Sequence, residues 1–542
     1  MVGRGLFCRT APAAGFLLLL ALPAFAQETA SGPTDVVELE SWLDGAMEAH
    51  LEAYNSAGSV VSVVKDGKLF FSKGYGYADI EARKRVDPAK TLFRIGSVSN
   101  LFIWTAIMQL AEDGKLNLNK DVNTYLTAKE ISGLSWQQYI QQNILDPLDM
   151  KQITFDQPLP EALADDLSKG YRFQDNAFVE QSFEYLSFGP VGCASASADE
   201  MAKFMIAHLQ LGRYGDSTIL EEDTATRMQS ELHHMAPKAN PMAHGFVDFT
   251  QNGQRVIGHG GDTLWFHTML AILPERNVGI FVSHNTDSGS QAARALLEQF
   301  IDHYYPEEAP SEITPPLLFE SRAEKFAGSY RPNRHSYHTL AKLRAAISTV
   351  RVVSSGDGAL LRSDTGRKRW IEIEPLIFRE EFGDARIVFT ENDEGVITHF
   401  LVSNNPAIAY EKDGPFGRPA LHLTILIAST VLFLLTIVLW PATAILRWRH
   451  NVLIPSQEKF PFAARLVAWT SSLIFLVFLV GLGVVMQDPN DIVFGVSQRT
   501  GMLLYLPIAA AVLVLAAVFY TYYVWRNGEG RILSRIFYTL LT

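Results

Sequence analysis

Phe93-Arg94-Ile95-Gly96-Ser97-Val98-Ser99-Asn100 leads directly into residues 101–110, which are apolar on almost every side, and that run stops at Asp113-Gly114. A helix with no polar face is a buried helix, and Asp-Gly is a natural stop. Ser97 is thereby predicted in the first turn, where unpaired N–H groups and the positive end of the helix dipole lower the cost of negative charge. A serine in such a place caps a helix far more often than it attacks a substrate. Its neighbours in the sequence must decide which.

Outward from this helix, both flanks are strand-like. Residues 58–64 and 69–72 are β-prone runs joined through Asp66-Gly67, a pair suited to a tight hairpin. Residues 265–273 and 278–284 form a second hairpin pattern around Pro274-Glu275-Arg276-Asn277, and residues 290–304 follow with Ala293, Leu296, Leu297, Phe300 and Ile301 at helical spacing. Strands at both ends with helices between predict an α+β domain over residues 27–305: one antiparallel sheet built from both ends and packed with helices. His259-Gly260-Gly261-Asp262 immediately precedes the strand from Trp265, and two glycines beside a strand let a ligand backbone approach. A histidine before Gly-Gly is, taken singly, more often a loop residue than a catalyst.

Together these stretches resemble the serine β-lactamase-like family of class C β-lactamases, D-alanyl-D-alanine peptidases and esterases. The resemblance covers roughly residues 40–305. It rests on Phe93 to Ser99, on Gln109-Leu110 with Gly114-Lys115-Leu116, and on Gly258-His259-Gly260-Gly261-Asp262. Asn143 to Met150, Pro190-Val191-Gly192 and Ser195 to Met201 add to it. It implies a β-lactamase/penicillin-binding-protein-like fold with a shortened helical subdomain. It also implies that Ser97 is the acyl-accepting nucleophile and that His259 to Gly261 form the third motif, facing the substrate carboxylate. The N–H groups of Ser97 and Asp262 would be the oxyanion donors, with Gly260 and Gly261 beside them in the substrate-binding strip. The segment from Trp265 would be the edge strand that pairs with an amide substrate.

Two family features are missing. The pattern Ser-x-x-Lys places an amine one helical turn from the hydroxyl. Asn100 occupies that position, and an amide cannot accept the proton. No Tyr in the chain has Asn two residues later, so the Tyr-x-Asn motif is absent. The text passes from Asp121-Val122-Asn123-Thr124-Tyr125-Leu126 almost directly to Glu130-Ile131-Ser132-Gly133-Leu134-Ser135, which resembles the far side of the insert that carries that motif. An internal deletion between Leu126 and Glu130 is the expectation. Two readings follow: a serine hydrolase acting, or formerly acting, through an acyl-enzyme at Ser97, or an impaired relative that binds cell-wall peptides or scaffolds through its membrane spans.

The rest of the 542 residues bounds location. Arg4 and Arg9, an apolar run from Gly15 to Leu22 and Ala24-Phe25-Ala26 predict a signal peptide over residues 1–26. Residues 306–319 are expected to be a Pro-rich linker and 320–412 a small β-rich domain. Three runs, 421–446, 466–486 and 502–525, are long enough to cross a bilayer, giving a membrane region over 420–526. Residues 527–542 are then a cytoplasmic tail or the start of a fourth span. Arg447, Arg449, Lys459 and Arg465 lie between the first two runs and mark the cytoplasmic side, so the domains before residue 420 are expected on the periplasmic or extracellular side of the cell (inner) membrane. A net charge of −12 argues against nucleic acid. Only Cys8 and Cys193 are present, the His233-His234 pair lacks a third ligand in pattern, and no metal or cofactor is expected. The expected partners are a β-lactam, a D-alanyl peptide or an ester.

Overall fold

The computed structural model describes residues 32–121, 132–187, 189–307, 313–338, 348–383, 385–451, 459–487 and 497–542, with Lys342 and Ala345 between them. The predicted leader, residues 1–26, and the junction between Leu126 and Glu130 lie outside the described residues.

Asp66 and Gly67 both adopt left-handed backbone, with φ of 50° and 73°. That geometry makes a two-residue hairpin whose twist matches its strands, and it joins β1 (Gly58–Lys65) to β2 (Lys68–Asp79). The sheet also contains β3 (Lys84–Arg85), β4 (Val247–Asp248), β5 (Ile257–Asp262), β6 (His267–Leu273) and β7 (Val278–His284), in spatial order β4-β5-β6-β7-β1-β2-β3. The two ends of the domain meet where β1 pairs antiparallel with β7, from Ser59↔His284 to Lys65↔Val278. The predicted architecture is therefore present.

Helices cover both faces of this sheet. On one face α1 (Val36–Ala53) and, near the domain's end, Gly289–Tyr304 pack Leu43, Met47, Leu296 and Phe300 against Val61, Ala271 and Val282. On the other, α2 (Ser99–Glu112) and α3 (Ala198–Leu209) pack Leu101, Phe102, Phe204 and Met205 against Val60, Leu270 and Phe281. Residues of opposite parity on each strand feed the two cores. With both faces covered, β1 and β7 are buried almost throughout, which is why they appear in the sequence as mostly apolar stretches with small buried polar residues such as Ser62 and Ser283 rather than as alternating ones.

Eight strands from Gly328–Pro332 to Asn405–Lys412 form a closed antiparallel barrel. Phe326, Tyr330, Trp370, Phe378, Phe389 and Phe400 fill its interior. The sequence signals the short strands but not their closure, because closure depends on register between strands far apart in the chain. Phe319 is fully buried in the same core, so the barrel unit begins inside the stretch expected to be linker. The barrel docks beside β4, where Ala236 and Ala239 pack against Val388, Leu401 and Ala409.

Helices Pro419–Arg449, Phe462–Val485 and Thr500–Asn527 are each long and apolar enough to cross a membrane. The last helix, Ile532–Leu541, spans only about 15 Å at 1.5 Å per residue. Its Tyr538 is buried against Trp440 and Phe460.

Candidate active site around Ser97

Gly96–Val98 form a 3-10 turn that runs straight into α2. Ser97 thus opens a buried helix, as its sequence predicts. Neither serine caps the helix, whose first turn takes no side-chain cap hydrogen bond. Ser99 Oγ donates to Gly96 O at 2.7 Å and accepts from Ala194 N at 3.2 Å, whereas the Ser97 hydroxyl has no side-chain hydrogen bond among the described residues. Ser97 is half-buried and Ser99 is fully buried. Ser99 is thus spent tying the turn to Ala194, and Ser97 is not used as a cap.

β5 supplies the opposite wall. It pairs with β6 along its whole length, from Ile257↔Ile272 to Asp262↔His267. On its other side β4 covers only Ile257 and Gly258. His259 to Asp262 are left with a free main-chain edge. Two expectations are corrected here. The strand beginning after Trp265 is not the substrate-pairing edge, because β6 lies between β5 and β7. The His-Gly-Gly-Asp run is itself strand rather than the approach to one. Glycine weakens a strand assignment from sequence, but at Gly261 the close approach requires it: a Cβ there would stand 2.0 Å from Ile95 O and 3.0 Å from Ser97 N. Gly261 makes room for the protein's own backbone rather than a ligand's. Gly260 has Met269 Cε at 3.5 Å and Thr268 O at 4.0 Å beside its missing Cβ, ordinary contact distances.

Alternation along β5 sorts its side chains. His259 shares the Ser97 face with Gly261, while Asp262 turns to the other face, where its Oδ1 accepts from His267 Nδ1 at 2.6 Å. Burial works to raise the Asp262 carboxyl, but the His267 hydrogen bond and charge carry it below the usual range. His259 Nδ1 lies 2.6 Å from Gly260 O. A carbonyl only accepts, so Nδ1 is the protonated nitrogen and Nε2 keeps its lone pair. Burial pushes His259 below its ordinary value; its backbone hydrogen bond opposes the shift, and the charge of Arg334 adds to it. The imidazole is consequently neutral at pH 7.

Asn100 stands one turn along α2 from Ser97, partly buried, and its amide has no hydrogen-bond partner among the described residues. Trp104, a further turn on, is roofed by Gly245, whose Cβ would meet the indole at 2.5 Å. Among the described residues no group of three or more His, Cys, Asp or Glu is placed to hold a metal. His233 and His234 are both exposed.

Sequence reasoning missed the brace beneath the site. Arg94 is 1% exposed, and its guanidinium donates to Glu184 O at 2.6 Å and to Gln157 Oε1 at 3.0 Å while lying over the Phe183 ring. The buried Glu184 carboxylate accepts from Leu264 N and so ties down the turn joining β5 to β6. Burial lowers Arg94 and raises Glu184, and each opposes the other's shift by its charge. The available signal was a charge inside the apolar Phe93-Arg94-Ile95. Phe93–Arg94 also pairs with Ser195–Ala196, which pairs with Ile153–Thr154. Segments that carried the resemblance separately thereby meet in one small sheet.

A family described as Beta-lactamase matches residues 43–132 and 127–302. Protein flp of Staphylococcus aureus (strain MW2) is 24% identical over 322 residues, covering 45% of this chain and 63% of flp, so this chain spans less than two-thirds of that relative. Serine beta-lactamase-like protein LACTB, mitochondrial, from Bos taurus is 45% identical over 69 residues, 13% of this chain and 12% of LACTB. The octameric penicillin-binding protein homologue from Pyrococcus abyssi has a TM-score of 0.44 at 18% identity, over 70% of this chain and 100% of its own. A class C beta lactamase from Rhodobacter sphaeroides has a TM-score of 0.41 at 16% identity, over 48% and 99%.

Proposed function

Because its residues 43–302 make this chain a member of the serine β-lactamase-like family, we propose that it is a membrane-anchored serine hydrolase-type protein. In this reading it takes up the acyl group of a β-lactam, D-alanyl peptide or small ester on Ser97, slowly. The observation that carries the reading is the contact between two backbone segments. A Cβ on Gly261 would meet Ile95 O at 2.0 Å and stand 3.0 Å from Ser97 N, and one on Gly96 would stand 2.8 Å from Asp262 N, so the two backbone N–H groups lie close together. This supports the N–H groups of Ser97 and Asp262 as a preorganised donor pair for a tetrahedral oxyanion. In the step, Ser97 Oγ bonds to the carbonyl carbon, the amine or alkoxide departs, and the hydroxyl proton ends on that leaving group.

Slowness follows from the proton's route. Asn100 cannot take it, and no Tyr in the chain has Asn two residues later. The neutral Nε2 of His259 is the base left on the Ser97 face. Full-length protein incubated with penicillin or a fluorophosphonate should gain one adduct mass, and Ser97→Ala should abolish it. No Ser97-dependent adduct on prolonged incubation sinks the reading.

A second reading, a binder without turnover, is favoured by the unpartnered Ser97 and Asn100 side chains. Saturable ligand binding without an adduct would support it, and turnover would refute it. In both readings the cleft faces away from the cytoplasm, because Arg447, Arg449, Lys459 and Arg465 lie between the first two spans. Protease added to sealed, right-side-out membrane preparations should remove the barrel, and protection of the barrel there would reverse the topology.

A further inference from the structure

We infer that the barrel is seated on the lipid bilayer: Leu317, Leu318 and Phe416, at the end of the barrel that delivers the chain into Pro419–Arg449, lie in the headgroup layer. The inference rests on reading Pro419–Arg449 as a membrane span.

Register places the three residues at one end. Tyr330 pairs with both Val350 and Lys412, and Gly328 pairs with Val352. The start of the first strand, the end of Val350–Ser354 and the end of Asn405–Lys412 therefore lie together. The segment before the first strand is pinned to the same end. Glu320 accepts from Gly358 N at 2.6 Å and from Ser354 Oγ at 3.0 Å, and a Cβ on Gly358 would strike Pro315. Leu317 and Leu318 lie between those anchors, 102% and 76% exposed, while Phe319 beside them fills the core. Apolar side chains exposed singly need no explanation. Neighbouring ones gathered where a membrane span departs do.

The connection to the span is short and held. Asp413 N donates to Ser329 O at 2.8 Å. Arg331 closes the turn, pairing with Asp413 Oδ1 at 3.0 Å and donating to Gly417 O at 2.7 Å. The helix begins at Pro419, so the barrel is clamped to the span, and Phe416 is 83% exposed within the clamped turn. Depth follows from the helix's other end. Trp440 stacks with Tyr538 and lies against Phe460, and such rings gather at the membrane–water boundary. A crossing takes about 20 residues, which counted back from Trp440 reach Leu421. Phe416 precedes that boundary by five residues, at headgroup depth.

Glu320, Asp357, Asp393 and Glu394 share this end, so the seat is apolar contact and not attraction to anionic lipid. Phe382 is as exposed, at 87%, but sits in the turn before Arg386–Glu391 at the opposite end, where it lines the cleft between barrel and hydrolase domain. The barrel thereby spaces the Ser97 domain from the bilayer by the length of its strands, about 20 Å for six residues.

The test uses full-length protein in phosphatidylcholine nanodiscs, spin-labelled at single introduced cysteines, with the unmodified protein as the blank for Cys8 and Cys193. Relaxation by oxygen, which concentrates in lipid, is compared with relaxation by a water-soluble nickel chelate. Labels at Leu318→Cys and Phe416→Cys should favour oxygen several-fold more than the label at Phe382→Cys. Adding Leu318→Asp and Phe416→Asp together should shift a Leu317→Cys label toward the chelate and leave a Leu426→Cys label, inside the crossing, unmoved. Thermal unfolding of each variant checks the fold. Labels at Leu318→Cys and Phe416→Cys as open to the chelate as Phe382→Cys, or a Leu317→Cys label unmoved by the paired aspartates, overturn the seat. Chelate access at Leu426→Cys would instead remove the span itself, so the two failures are distinct.

Discussion

Gly96 and Gly261 stand against each other across the site, and neither position has room for a side chain: a Cβ on Gly261 would lie 2.9 Å or less only from Ile95 O, at 2.0 Å, while one on Gly96 would lie 2.8 Å from Asp262 N. This contact holds the turn bearing Ser97 to the free end of β5. Gly261→Ala forces the two segments apart and should cost about 1–3 kcal/mol, the range for overpacking, together with any adduct formation at Ser97. Gly260→Ala, whose Cβ meets Met269 Cε at 3.5 Å and Thr268 O at 4.0 Å, should retain both stability and labelling. Urea unfolding and fluorophosphonate labelling of the two variants check this, and equal behaviour would refute it.

Arg94 and Glu184 are each buried, and Arg94 donates to the main chain of Glu184. Each charge opposes the other's burial-driven shift, so removing one leaves the other less compensated inside the protein, at a cost of about 1–3 kcal/mol for a buried polar group that loses its partner. Arg94→Met should therefore destabilise strongly, and adding Glu184→Gln should recover a substantial part of the loss. If the double variant is as unstable as the sum of the singles, the two residues are not coupled.

What was legible in the sequence was local. Asp66-Gly67 and Pro274 to Asn277 mark their hairpins because turn chemistry is set by the residues in the turn. The two-sided burial of β1 and β7 shows as mostly apolar stretches without alternation. What was hidden depended on distant neighbours. β5 looked like a loop because the close approach of Ile95 and Ser97 puts glycine where a strand usually has a side chain. Ser97 and Ser99 are alike in the sequence, and Ala194, 95 residues on from Ser99, is what distinguishes the bonded hydroxyl from the other. Barrel closure likewise needs partners that no local pattern names.

His208 and His284 give the fold an acid limit. Burial pushes His284 down to about 3 and His208 down to about 4. Thr105 Oγ1 donates to Leu101 O, so His208 Nε2 donates to that oxygen as a neutral ring. In the unfolded chain each histidine titrates near 6.5. The folded value lies below the unfolded one, so between them the unfolded chain binds more protons and stability falls as pH drops below about 6.5. Each histidine adds a slope approaching ~1.4 kcal/mol per pH unit in that window. Urea midpoints measured from pH 7.5 to 5 should fall accordingly, and His208→Gln should flatten the fall. A midpoint constant over that range contradicts the assignment.

Asn100 offers the sharpest test of why Ser97 should be slow. Lysine at this position would place its amine one helical turn from the hydroxyl, on a side chain free of other partners, near the helix start whose dipole favours the neutral amine. A positioned base contributes on the order of 10² to 10⁴ in rate, so Asn100→Lys should raise the rate of Ser97 labelling by about that factor, and Asn100→Gln should leave it unchanged. Rates of adduct formation by mass spectrometry read the difference. The gain should grow with pH as the amine deprotonates. An absent gain, with Asn100→Lys folded as the unmodified protein is, would move the defect to the missing Tyr-x-Asn segment, since residues that act as a unit do not restore their effects one at a time.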